Sequence, residues 1–183
     1  MAAMQLFLLT TGLTLLSVVQ AGYINRGECA TTDKLLGNWY IIRWAGNLPF
    51  PEENLRSPLP PFTLSKNRIG YLELRMNISS PIGCVEFKMA MNEVKDMPCL
   101  FTLWMWHYVR IVFIGGKNFG FAYLNGKTNK VHQRMAMFMG RRNHTAHPTM
   151  LMDFETLVSQ LSLNKTSIIN PPFDDSCELG KES

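Results

Sequence analysis

A chain of 183 residues with 46% apolar and 17% charged residues has the composition of a globular protein and length enough for one well-buried core. Its formal charge of +4 comes from 18 basic and 14 acidic residues scattered along the sequence, which reads as surface character and excludes the concentrated basic footprint of a nucleic-acid-binding protein. The four cysteines, Cys29, Cys84, Cys99 and Cys177, form no CxxC pair, which argues against a zinc knuckle or a thioredoxin-type motif.

The first 21 residues carry no charge, are apolar from Leu6 to Val19, and end in Val19-Gln20-Ala21. This pattern predicts a secretory signal peptide cleaved after Ala21, since the apolar run is too short to span a bilayer comfortably. No later segment is long and apolar enough to span, so no stable membrane insertion is expected. Residues 22–183 are expected to form one secreted, extracellular domain. An even number of cysteines in that oxidising compartment favours two disulfides, with three connectivities open. Sequons at Asn77, Asn143 and Asn164 fall in or near predicted turns and are candidate glycosylation sites.

Gly37-Asn38-Trp39-Tyr40 opens the first predicted strand, which runs through the aromatic and β-branched residues to Trp44. Five prolines then make Asn47 to Pro61 a long loop, because proline cannot donate to a sheet ladder. At the open end of a closed sheet such a loop is expected to gate entry, its mobility limited by fixed φ angles, the alternative being a passive connection. Strands follow at Phe62 to Ser65 and Tyr71 to Met76. A turn at Ser79 to Gly83 leads into Cys84 to Met89, where Val85, Phe87 and Met89 alternate with Glu86 and Lys88. Two strands and a bend occupy Leu100 to Ile114, and strands at Phe119 to Leu124 and His132 to Met139 complete eight. Met150, Leu151, Phe154, Leu157, Val158 and Leu161 then recur at helical spacing, with Pro148 where a first turn accepts it. The predicted helix spans about 148–162. Pro171-Pro172 is expected to end ordered structure, leaving a tail over 163–183. Eight short strands and one amphipathic helix suggest a meander closed into a barrel, with the helix against its outside.

With these elements in place the chain resembles a lipocalin: all-β with one C-terminal α-helix, an eight-stranded antiparallel up-and-down barrel over about 37–142. Gly37-x-Trp39 enters the first strand, and Gly140-Arg141 ends the last one. In that family the arginine crosses the closed end and stacks on the tryptophan, so the resemblance implies that Gly37, Trp39 and Arg141 close the barrel. A flat, permanently charged guanidinium suits that place. The resemblance also implies a disulfide from the fourth strand to the tail, which maps onto Cys84 and Cys177. Cys29 and Cys99 are not the usual family pair, but both would lie near the closed end, where a second bridge fits. Layout and tail most resemble the odorant-binding and tear-type lipocalins of mammals. One family motif is missing. Thr-Asp-Tyr between the sixth and seventh strands is replaced by Gly116-Lys117-Asn118-Phe119-Gly120, which bears on polar contacts at the closed end rather than on the barrel.

A barrel of eight strands encloses room for one small ligand. Period-two stripes nominate Phe87, Met89 and Met91, then Phe101, Leu103 and Met105, with Tyr123, and then Met135, Met137 and Met139 as ligand-facing. Twelve methionines in the chain favour an adaptable apolar lining, because thioethers are flexible and polarizable. Enzymatic and metal readings are weak. Lipocalin-type prostaglandin synthase uses a cysteine on the second strand, and none occurs here between Cys29 and Cys84. His144-x-x-His147 has no obvious third ligand, so no metal and no cofactor are expected. Trp104, Trp106, His107 and Tyr108 read as core and rim packing. The expected partner is a small lipophilic molecule carried in the barrel. The alternative is an extracellular interaction protein with a filled barrel, whose loops (Leu48, Phe50 and Leu59) act on a cell-surface receptor or an enzyme.

Overall fold

The aromatic and β-branched runs become strands that pair in the order of the sequence. The computed structural model describes residues 27–46, 59–103, 107–128, 131–141, 146–173 and 176–177. Its strands are β1 (Glu28–Cys29), β2 (Gly37–Gly46), β3 (Phe62–Lys66), β4 (Leu72–Ser80), β5 (Gly83–Glu93), β6 (Leu100–Thr102), β7 (Tyr108–Phe113), β8 (Phe119–Thr128) and β9 (Val131–Gly140). From β2 to β9 each strand pairs antiparallel with the next, and β9 pairs back onto β2. The eight strands therefore close a barrel, which removes the exposed edges an open sheet would present.

The short β1 completes the wall. β6 covers β7 only from Tyr108 to Arg110, and β1 continues along the same edge with Glu28 opposite Phe113 and Cys29 opposite Val112. The disulfide Cys29–Cys99, with Cα atoms 5.0 Å apart, ties that extra piece to the residue before β6.

Alternation along the strands divides the apolar residues between two cores. The inner one contains Trp39 and Trp44 from β2, Leu72, Leu74 and Met76 from β4, and Met135, Met137 and Met139 from β9. The outer one contains Ala45, Phe121, Ala136 and Phe138, covered by a helix over Pro148–Gln160. This helix, α2, follows a four-residue helix α1 (Thr32–Leu35) that precedes β2. Pro148 stands at the start of α2 as its missing N–H allows, and the His147 ring accepts from Thr149 N at 3.4 Å as the cap. Phe154, Leu157 and Val158 are the buried face; the Phe154 ring lies 6.1 Å from Phe138 and 5.8 Å from Phe121. Arg43 reaches Glu155 on the helix at 3.0 Å.

The tail fills a gap in the barrel wall. β3 pairs with β2 only at Gly37 to Trp39, so the far half of β2 has no strand on that side. Ile169 takes the place, with Trp44 N donating to Ile169 O at 2.9 Å and Ile169 N donating to Trp44 O at 2.7 Å. Leu59 then pairs with Phe173, whose ring lies 5.3 Å from Tyr40. Cys177 is bonded to Cys84 at the β4–β5 turn. The expectation that order ends at Pro171-Pro172 is thereby corrected: the prolines lie in an extended segment held by backbone bonds on both sides. Of the long proline-rich loop, residues 47–58 lie outside the described residues, and Leu59 is half-buried.

Candidate functional site

At the closed end, α1 leaves its last carbonyls without intrahelical donors, and three are satisfied by side chains. Arg141 Nη2 donates to Lys34 O at 2.5 Å, Trp39 Nε1 to Leu35 O at 2.7 Å, and Arg141 Nη1 to Leu36 O at 2.5 Å. The guanidinium carbon lies 4.3 Å from the centroid of the Trp39 ring, so the charge sits over the negative π-face. Burial pulls the Arg141 pKa down from its ordinary value, but a guanidinium stays charged at physiological pH. The other end of α1 is held by Glu93, whose carboxylate accepts from Thr32 N and Oγ1 at 3.2 and 2.6 Å. Gly37 has φ +112°, and a Cβ there would stand 2.8 Å from Arg141 Nη1. Glycine is needed both for the backbone angle and for the arginine's room.

The Thr-Asp-Tyr replacement finds its outcome here. Asn118 O accepts from Arg141 N at 2.9 Å, and Lys117 O accepts from Arg141 Nε at 3.4 Å. The turn between β7 and β8 contributes to closure through backbone carbonyls, which no sequence motif announces.

The interior is the candidate site. Met91, Phe101, Met135, Met137 and Met139 are buried in the inner cluster, and Phe87, Met89 and Leu103 pack against it half-buried. Phe87 and Met89 lie toward the open end of β5, opposite Met76 and Leu74. Met105 lies outside the described residues, as do Trp104 and Trp106. Tyr123 is a correction. On β8, Ala122 and Leu124 face inward, while Phe119, Phe121 and Tyr123 belong to the outer cluster beneath α2. Tyr123 therefore packs on the wrong side of the wall to meet a ligand.

Two inward groups are additions to the expected site. The buried His107 ring fills the space a side chain at Gly126 would need, its Cδ2 overlapping where that Cβ would be. Its Nε2 lies 2.9 Å from Gln133 Oε1 and donates to it. Trp44 also turns inward, because the register shift between Ile41 and Arg43 sends both Ile42 and Arg43 outward. Its residue type was visible in the sequence, but the bulge that sets its direction was not.

The remaining candidates are placed as follows. All four cysteines are in disulfides, so the Cys84–Cys177 and Cys29–Cys99 pairs leave no thiol nucleophile. Asn77 lies within β4 rather than in a turn, on the outer face and half-buried. Asn164 is exposed, its Oδ1 accepting from Thr166 N at 3.0 Å; Asn143 and His144 lie outside the described residues. Among the described residues no group of three His, Cys, Asp or Glu side chains is placed to hold a metal, and no helix is long and apolar enough to cross a membrane.

No protein-family model matches the chain, and no curated protein matches it significantly. Solved structures do match. One is the siderocalin Ex-FABP, described as functioning through dual ligand specificities, with a TM-score of 0.64 and 16% identity over 82% of this chain and 97% of that one. At that identity the likeness speaks for architecture. Together with the closed antiparallel barrel, the C-terminal helix, and the arginine–tryptophan closure, it shows that this chain has the lipocalin fold.

Proposed function

We propose that the protein is a member of the lipocalin family and a secreted carrier that shelters small hydrophobic molecules of odorant, pheromone, retinoid or fatty-acid type inside its barrel. The observation that carries this reading is the inner lining. It is apolar on every strand from β2 to β9 and rich in methionine. At the open end Ile78, Phe87, Met89 and Leu103 are half-buried, whereas Trp39, Phe62, Leu72, Phe101 and Met139 deeper in are fully buried. Flexible thioethers over such a surface suit guests of differing shape. The reading is non-catalytic, since paired cysteines offer no nucleophile and the interior presents little ionisable chemistry. Secretion by a cleaved leader fits two disulfides.

The test is a titration with the apolar fluorophore N-phenyl-1-naphthylamine. Saturable enhancement of its emission, with quenching of tryptophan, is the expected result. No uptake, with tryptophan emission unchanged, refutes the carrier reading. That outcome would favour the interaction-protein alternative, which the exposed Ile82 and Val85 at the open-end β4–β5 turn support.

A further inference from the structure

Among the described residues inside this apolar barrel, one hydrogen-bond donor has no acceptor. Trp44 is 5% exposed, belongs to the inner cluster, and its Nε1 is buried without a partner. The contrast with Trp39 on the same strand is direct, since that indole donates to Leu35 O. Native proteins seldom leave a buried N–H unsatisfied, and one that is left points to a group that arrives from outside the fold.

Two occupants could supply the acceptor: a buried water or a ligand. A buried water needs two to four polar partners. Across the ladder from Trp44 stand Met137 and, beyond it, Ala122, both apolar. Among the described residues His107 is the one buried polar side chain, and it bonds Gln133. Gln133 is four residues along β9 from Met137, about 13 Å at strand rise. A water at Trp44 would bond the indole N–H, and among the described residues no buried polar side chain at that level of β9 or β8 offers it another. A ligand needs no second partner there, because its apolar body can rest on the methionines.

We propose that Trp44 Nε1–H is the polar anchor of the ligand site, so that the barrel selects hydrophobic molecules bearing a hydrogen-bond acceptor, of which a ketone or aldehyde carbonyl is the simplest class. The proposal rests on the carrier reading and names its ligand chemistry. A neutral carbonyl accepts one bond and brings no charge into the apolar interior, whereas a carboxylate would meet no cation there among the described residues.

The experiment compares 2-acetylnaphthalene with 2-ethylnaphthalene, nearly equal in shape and differing in the carbonyl, as competitors of N-phenyl-1-naphthylamine. In Trp44→Phe the affinity for the ketone should fall about tenfold, the worth of one hydrogen bond in a dry site, with the hydrocarbon unchanged within about twofold. Equal weakening of both, or of neither, overturns the proposal and leaves the carrier reading standing. Displacement of the fluorophore by neither compound in the native protein overturns the proposal alone, whereas failure of the fluorophore itself to bind overturns the carrier reading as well. A second readout avoids any folding defect in the variant. In the native protein labelled with ¹⁵N-tryptophan, the Trp44 indole resonance, assigned through space to β9, should move downfield with the ketone and stay in place with the hydrocarbon. A resonance already at a hydrogen-bonded position and unmoved by the ketone would assign the donor to water and refute the proposal.

Discussion

Replacing Arg141 with methionine keeps the aliphatic stem and removes the guanidinium's contacts at the barrel's closed end. The native guanidinium makes two short charge-assisted bonds to Lys34 O and Leu36 O, a longer one to Lys117 O, and a face contact with Trp39. Bonds to a charged group contribute about 1.5–3 kcal/mol each, and a partly exposed cation–π contact about 0.5–2 kcal/mol. Their sum overstates the loss, because the group is half-exposed and water replaces part of what is removed. A discounted cost of about 2–4 kcal/mol remains. With a urea slope of about 2 kcal/mol per molar, the unfolding midpoint should fall by about 1–2 M. Arg141→Lys should recover less than half, since an ammonium keeps the charge but cannot fork between two carbonyls while lying flat on the indole. Gly37→Ala supplies a coupled check: its Cβ presses on Arg141 Nη1, so the substitution should cost less in the Arg141→Met background than in the native one. A midpoint shift below about 0.3 M for Arg141→Met, or full recovery by lysine, would refute the closure argument.

Other consequences follow from the same geometry. Cys84→Ser with Cys177→Ser opens a crosslink between residues 93 apart, which should lower stability by about 3–5 kcal/mol and make the chain beyond Ile169 cleavable in limited proteolysis; an uncut tail would show that Ile169 and Phe173 hold it unaided. Tyr123→Ala should lower the urea midpoint by weakening the packing under α2 while leaving naphthylamine affinity within about twofold; a large affinity loss would return Tyr123 to the ligand site. The Glu28 carboxyl is held below its ordinary pKa by the hydrogen bond and then the charge of Lys34. A depressed carboxyl stabilises above its unfolded pKa and loses that contribution as pH falls through its folded one. Glu28→Gln should therefore differ slightly from the native protein at neutral pH and converge with it at about pH 2; a difference that grows on acidification would contradict the assignment.

The closed end was legible in the sequence because its parts are unlike their surroundings. A glycine that must take positive φ, an indole two residues on, and an arginine directly after a strand are residue types with few substitutes in those roles. The resemblance placed them opposite one another, and the bonds from Arg141 and Trp39 to α1 supply the physical reason. Helix α1 itself leaves no sequence signal, because four residues of mixed polarity carry no usable periodicity. Its stability comes from Glu93 and Arg141 at its two ends, 61 and about 105 residues away along the chain. The Cys29–Cys99 bridge could be argued from its neighbourhood, while the strand pairing beside it, β1 on β7, spans two residues and gives no sequence signal.

Period two tells which residues share a face, but it leaves open which face is inside and does not show where a bulge reverses it. On β8 the bulky residues Phe119, Phe121 and Tyr123 look like core, and they are core, but of the layer between wall and helix. The inward face carries Gly120, Ala122, Leu124 and Gly126, and the last is glycine because the His107 ring occupies its side-chain space. On β2 a single bulge reverses the alternation after Ile41. Without it Arg43 would follow Trp39 and Ile41 into the barrel, burying a cation among methionines. With it Arg43 reaches Glu155 on α2 and Trp44 turns inward. One extra residue in a strand thus moves a charge to the surface and brings an indole N–H to the inside, and on that N–H the selectivity of the barrel depends.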